Sequence, residues 1–226
     1  VFSGAIARIE GDFTEGDVVD VADSSGKFIG RGVINTNSQI VVRLLSWNKD
    51  EQIDRTFFER RVAQAKALRE GVLGLSGPDD ACRLIFAESD GLPGLVVDRY
   101  GRWLVVQVAS LGMHLRLEMI LDVLEEAFSP EGIYCRTPAD IASKEGLTPV
   151  NAAVRGAGPP GEIQVTCDGL SFSVDVRAGQ KTGLYLDQRA NRQVVAGLAE
   201  GLDVFDGYTY SGGFAMAAAK AGGASA

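Results

Sequence analysis

The sequence predicts an α/β protein in three parts: a small β-barrel, a central α+β unit and the beginning of an open α/β sheet. Three observations predict it. The first 48 residues hold short, alternating apolar runs separated by turn residues, the pattern of a small β unit. A helical stripe of Met113, Leu117, Ile120, Leu121, Leu124 and Phe128 then sits among further strand-like runs. Near the end, an apolar pair, an acid, a Gly-Gly turn and a helical run follow one another from Val204 to Ala219.

In the first part the strand runs are Val18-Val19-Asp20-Val21, Phe28–Ile34 and residues 40–45. Ser24-Ser25-Gly26-Lys27 and Asn35-Thr36-Asn37-Ser38 supply the small, permissive residues that the turns need. Gly30-Arg31-Gly32 could bring backbone close to a ligand or mark a bulge. Residues 55–69 carry Phe58, Val62, Ala65 and Leu68 at helical spacing. Arg55, Arg60, Arg61, Lys66 and Arg69 on that helix face only Glu59 and Glu70, which reads either as a basic binding face or as an ordinary solvated one.

Residues 74–80 read as a linker, so the first unit covers residues 1–70 and the second 71–178. In the second, residues 84–87 and 95–98 are strands joined through Asp90-Gly91-Leu92-Pro93-Gly94, residues 103–108 are a third strand and residues 133–135 a further one. Ser129-Pro130-Glu131-Gly132 stops the helical stripe. His114, the only histidine, lies one position off that stripe and is expected to be exposed or partly packed. Around Asp168-Gly169, residues 162–176 alternate as a hairpin does, which makes Cys167 a core thiol.

In the third unit, residues 179–226, Val204 and Phe205 would end a short buried strand. Asp206 would stand at its carboxyl edge, with Gly212-Gly213 opening the next helix. Asp187 could cap the helix that runs through Val194, Val195 and Leu198. The chain stops where a second strand would begin, and one strand cannot bury both faces of an open sheet. A truncated domain is therefore expected, and the start at Val1 points the same way.

Composition narrows the function. The net charge is −8, with eight basic against fifteen acidic residues in 71–178 and near balance on either side, so a uniformly basic nucleic-acid binder is excluded. There is no apolar run of membrane-spanning length and no signal core, so the reading is cytoplasmic, with no membrane partner. Cys82, Cys135 and Cys167 are far apart, and neither a disulfide framework nor a metal site is expected.

Gly179-Gln180-Lys181-Thr182-Gly183-Leu184-Tyr185-Leu186-Asp187-Gln188-Arg189 and Asp206-Gly207-Tyr208-Thr209-Tyr210-Ser211-Gly212-Gly213-Phe214 carry a resemblance. So do Phe2-Ser3-Gly4-Ala5-Ile6, the run from Ala87 to Gly101 and Glu145-Gly146-Leu147. Together they resemble a family of S-adenosylmethionine-dependent, large-subunit ribosomal RNA cytosine-C5 methyltransferases with a PUA domain, a central α/β domain and a Rossmann-like domain. The resemblance implies a PUA-like, RNA-binding first unit, in which the glycine-flanked Arg31 and the surplus basic residues Arg60, Arg61 and Lys66 are the expected RNA contacts. It implies S-adenosylmethionine as cofactor, near Lys181, Thr182, Asp187, Arg189, Asp206, Tyr208, Gly212, Gly213 and Phe214. The partner is ribosomal RNA, and a homodimer is left open. In this family a cysteine thiolate adds to the ring carbon beside C5 of an unstacked base. None of the three cysteines matches that nucleophile, so no catalytic residue is assigned and the chain alone is expected to be inactive. Methylation of another RNA base, or an RNA-binding or assembly module without chemistry, are the alternatives.

Overall fold

The computed structural model describes residues 1–223. Three strands, β1 (Val18–Ala22), β2 (Phe28–Ile34) and β3 (Val42–Ser46), form an antiparallel sheet in chain order. The ladder ends at β1 and β3, where the expectation was a barrel, and the first residues attach to the segment around β3, with Ser3 donating to Gln39 and Val42 to Val1. Asp23 makes the β1–β2 turn by accepting from the amides of Ser25 and Lys27. The register slips between Arg31 and Gly32, and a Cβ on Gly32 would run into the carbonyl of Arg43. The glycine pair therefore serves a bulge and close strand approach.

Helix α1 (Arg55–Lys66) begins where Asp54 accepts from the Phe57 amide and buries Phe57, Phe58, Val62 and Ala65. It continues into a π-helical turn over Ala67–Val72. That wider turn changes the angular spacing, and Leu68, expected on the apolar stripe, is 44% exposed.

The central sheet has five strands in the order β4 (Ala81–Phe86), β5 (Leu95–Tyr100), β6 (Trp103–Val108), β7 (Gly132–Arg136) and β8 (Asn151–Gly156). Only β6 and β7 run parallel, as the crossover through α2 (Leu111–His114) and α3 (Leu117–Phe128) requires. The single helix expected there is two, broken at Leu115 and Arg116. Two elements had no reading in the sequence. Helix α4 (Ala139–Glu145) is short, between Pro138 and a left-handed Gly146, and β8 is an edge strand with mostly exposed side chains.

The hairpin of β9 (Ile163–Cys167) and β10 (Leu170–Val174) turns at Asp168 and Gly169, both with positive φ. One apolar cluster joins α1 and α3 to one face of the central sheet, through Phe58, Val97, Leu121 and Leu124. A second joins Tyr100 and Val105, on the other face, to the hairpin and to Leu184, Leu186 and Ala217. Helices α5 (Arg189–Leu198) and α6 (Gly213–Lys220) lie on this second side. Among the described residues no helix is long and apolar enough to cross a membrane.

Candidate functional site

The segment after the hairpin is tied to the central sheet by a buried polar knot. Asp98 is fully buried on β5 and takes two hydrogen bonds from Arg83, Nε at 2.8 Å and Nη2 at 2.9 Å. Thr182, also fully buried, donates to Asp98 Oδ2 at 2.6 Å. Its Oγ1 is 2.8 Å from the Tyr100 hydroxyl, which accepts from the Leu184 amide at 3.1 Å. Burial pushes the Tyr100 hydroxyl well above the ordinary tyrosine range and keeps it a neutral donor. Thr182 thus faces the sheet, its hydroxyl engaged by Asp98 and Tyr100.

The neighbouring predicted residues divide in the same way. Lys181 is exposed with φ 56°, and its ammonium lies 5.7 Å from the Tyr185 ring centroid. Asp187 is exposed, accepts from its neighbour Gln188 and adds to the field that raises the pKa of Arg83. It caps nothing, because α5 begins without a side-chain cap. Arg189 is turned to the hairpin, where Asp168 holds it, and Asp168 also lies 3.7 Å from the buried Arg192.

The downstream turn is where one sequence expectation fails. Val204 and Phe205 form no strand, and Phe205 is 94% exposed. Among the described residues no neighbouring strand stands beside them to complete a ladder. Asp206 therefore stands at no strand edge, while the glycine opening of the helix is as expected. Gly212, at φ 70°, caps α6, and Gly213 is buried against Phe172 and Arg192, with the half-buried Phe214 following. Asp206 Oδ2 accepts from Thr209 Oγ1 at 2.9 Å and from the Ala215 amide at 3.2 Å, which fastens the turn to the helix N-terminus. Tyr208 projects fully into solvent.

Tyr210, which the sequence reading left unassigned, closes the site. Its hydroxyl accepts from the Gln180 amide at 2.9 Å and donates to the Gly183 carbonyl at 3.1 Å, holding the two predicted loops together. Asp98 and Tyr100 were also left unassigned; an acid at an inward position of a strand was the signal available.

A zwitterionic amino-acid group fits this arrangement. Among the described residues Asp206 Oδ1 has no partner, and the amides of Gly213 and Phe214 at the start of α6 find no acceptor. The carboxylate suits an ammonium, and the amides suit a carboxylate. The predicted RNA contacts, in contrast, are engaged within the protein: Arg31 by Asp20, Arg60 and Arg61 by Glu51, and Lys66 by Glu70 and the Ala127 carbonyl.

None of the three thiols is built as a nucleophile. Burial raises Cys82 and Cys135 to about 11 and lifts Cys167 as well, the last against the opposing field of Arg192. In the native protein at pH 8, all three are expected to resist iodoacetamide, read by intact mass, and to react once unfolded. Native labelling of any of them would contradict the burial. His114 is half-buried with an unpartnered Nδ1, and no metal-binding cluster occurs among the described residues.

Residues 1–47 match the PUA-like domain family, and residues 144–226 match the S-adenosylmethionine-dependent methyltransferase family. The chain is 42% identical to proteins named ribosomal RNA large subunit methyltransferase I from Erwinia tasmaniensis, over 96% of its length, and from Shewanella amazonensis, over 100%. It spans 55% and 57% of those two relatives. Among solved structures it is similar, at TM-score 0.78 and 22% identity, to a SAM-dependent methyltransferase candidate from Streptococcus mutans, covering 95% of this chain and 55% of that one. A methyltransferase candidate complexed with SAH superposes at TM-score 0.79 and 22% identity, covering 93% and 53%.

Proposed function

We propose, for a chain with a PUA-like match at residues 1–47 and an S-adenosylmethionine-dependent methyltransferase match at 144–226, that the whole protein methylates cytosine C5 in large-subunit ribosomal RNA. The observation that carries the reading is the pairing of the open Asp206 oxygen with the free Gly213 and Phe214 amides, the complement of a methionyl ammonium and carboxylate. The ribosomal RNA substrate is supported by the names of the relatives. The base and its atom rest on the signatures in the sequence.

In this reading the 179–226 segment binds the cofactor, and the Asp98 knot and Tyr210 hold its loops in register. Bound S-adenosylmethionine would supply an electrophilic methyl group on a sulfonium. Lys181, Asp187 and Tyr208 are the exposed predicted residues left to border it, while Thr182 and Arg189 act from behind. Arg31, Arg60, Arg61 and Lys66 would contact RNA only by exchanging their present acids for phosphate. A second reading is methylation of an RNA base atom that needs no thiolate.

The test is transfer of labelled methyl from S-adenosylmethionine by the whole protein to unmodified large-subunit ribosomal RNA, with the nucleosides resolved after digestion. Label in 5-methylcytidine is expected. Label in another nucleoside would select the second reading, and RNA binding without transfer would leave a module with no chemistry.

A further inference from the structure

A groove of about 710 Å³ lies at one end of the central sheet, within the ~300–1,000 Å³ usual for small-molecule sites. Its floor includes Gly94, Val96 and Ala109, one wall is the loop before β3 with Asn37 and Gln39, and the other is α4 with Lys144. The groove floor at Val96 lies on the sheet face that also carries the candidate cofactor segment. Alternation along β5 puts Val96, Asp98 and Tyr100 on one face, each about 7 Å from the next. Asp98 and Tyr100 are the residues that hold Thr182 and Leu184.

Phe86 stands opposite Val96 across the β4–β5 ladder, so its ring lies on that same face. It is 49% exposed, with the Arg83 guanidinium 5.0 Å from the ring centroid and the field of Asp187 reaching that guanidinium. An exposed aromatic ring with an arginine beside it is a platform for an unstacked base.

Charge on this face suits an anion better than the net −8 suggests. Arg136, Lys144 and Lys181 stand in no ion pair among the described residues, unlike Arg60, Arg61 and Lys66. The two acids of the groove are answered by Arg43, which is 2.7 Å from Glu145 and 3.8 Å from Glu88. Arg136 lies one step beyond Tyr134, whose partner Val105 faces Asp98, and so extends the same face.

We propose that this track holds a single-stranded segment of the RNA, which enters at the groove and passes its target base over Phe86 toward the Lys181–Asp187 side of the cofactor loops. The proposal rests on the RNA methyltransferase reading above. It departs from the α1 arginines as the main RNA surface.

The experiment is fluorescence anisotropy of a labelled single-stranded oligoribonucleotide with the whole protein, over a range of salt. Phe86→Ala is expected to weaken binding about tenfold, the loss of one base-stacking partner. Lys144→Ala is expected to reduce the salt slope by about 0.7, one phosphate contact on a single strand. Both should leave affinity for S-adenosylhomocysteine and the thermal midpoint unchanged, which reports that the fold is intact. Arg60→Ala with Lys66→Ala is the comparison arm. If that pair weakens RNA binding while the groove variants bind like wild type, the track is overturned and α1 is the RNA surface. Equal binding by every variant leaves the groove to another occupant and overturns the proposal too. A wild-type protein that binds no RNA would instead remove the reading on which it rests.

Discussion

Asp98→Ala is expected to cost about 3 kcal/mol of stability and to lower the thermal midpoint by roughly 6–12 °C. The carboxylate is fully buried and answers Arg83 and Thr182 together. Removing it strands the Arg83 charge against the sheet and leaves the Thr182 hydroxyl without its acceptor. Arg83 keeps 24% of its side chain exposed, so water recovers part of the loss, which sets the figure at the low end for a broken buried pair. Thr182→Val should cost less, about 1–2 kcal/mol, because the Asp98–Arg83 pair survives it. The larger loss should also be felt at a distance: without Asp98 the 179–186 segment keeps only its ties to Tyr100 on β5, and cofactor affinity should fall with stability. A midpoint for Asp98→Ala within about 2 °C of wild type, measured by calorimetry, would show the knot to be dispensable.

At Asp206 the expected effect is on binding. In the whole protein, Asp206→Ala should weaken S-adenosylhomocysteine by about tenfold to over a hundredfold, the worth of a charge-assisted hydrogen bond of roughly 1.5–3 kcal/mol. The same substitution also removes the bond to the Ala215 amide, so a loosened helix start could imitate the result. Asp206→Asn separates the two roles. Its amide oxygen can still accept from Ala215 and Thr209, but the charge that an ammonium needs is gone. Retained stability with lost affinity in Asp206→Asn identifies a ligand role. Wild-type affinity in both variants would make the turn a cap for α6 and would remove the residue on which the cofactor reading most depends.

Much of this was legible because it is local. The β9–β10 hairpin follows from alternation around Asp168-Gly169, whose positive φ angles belong to that turn. The start of α6 follows from Gly212, and the inertness of Cys167 from its inward place beside the hairpin turn. Where local signals were weak, the reading was silent. Helix α4 has seven residues and β8 buries little, so neither shows a period long enough to detect. The predicted cofactor set mixed two populations for the same reason. Thr182 and Arg189 stand in one stretch with Lys181 and Asp187, yet the first pair turns inward to Asp98 and Asp168. Chain neighbours share a motif without sharing an environment.

The charge on α1 makes the same point from the other side. Read along the chain, Arg60, Arg61 and Lys66 outnumber their acids; folded, Glu51 arrives from the preceding loop and Ala127 from the end of α3 to occupy them. The sequence by itself determined the first three strands, the β9–β10 hairpin, the glycine-started helix and the inward place of Cys167, because each depends on backbone preference or alternation within a few residues. Only the tertiary structure decided which charges are spent and which are free, and that Phe86, Val96 and Asp98 share one sheet face with the groove and the Thr182 loop. Those facts depend on strand register and on partners as far as 102 residues apart, where free energy is set by three-dimensional contact and no period along the chain records it.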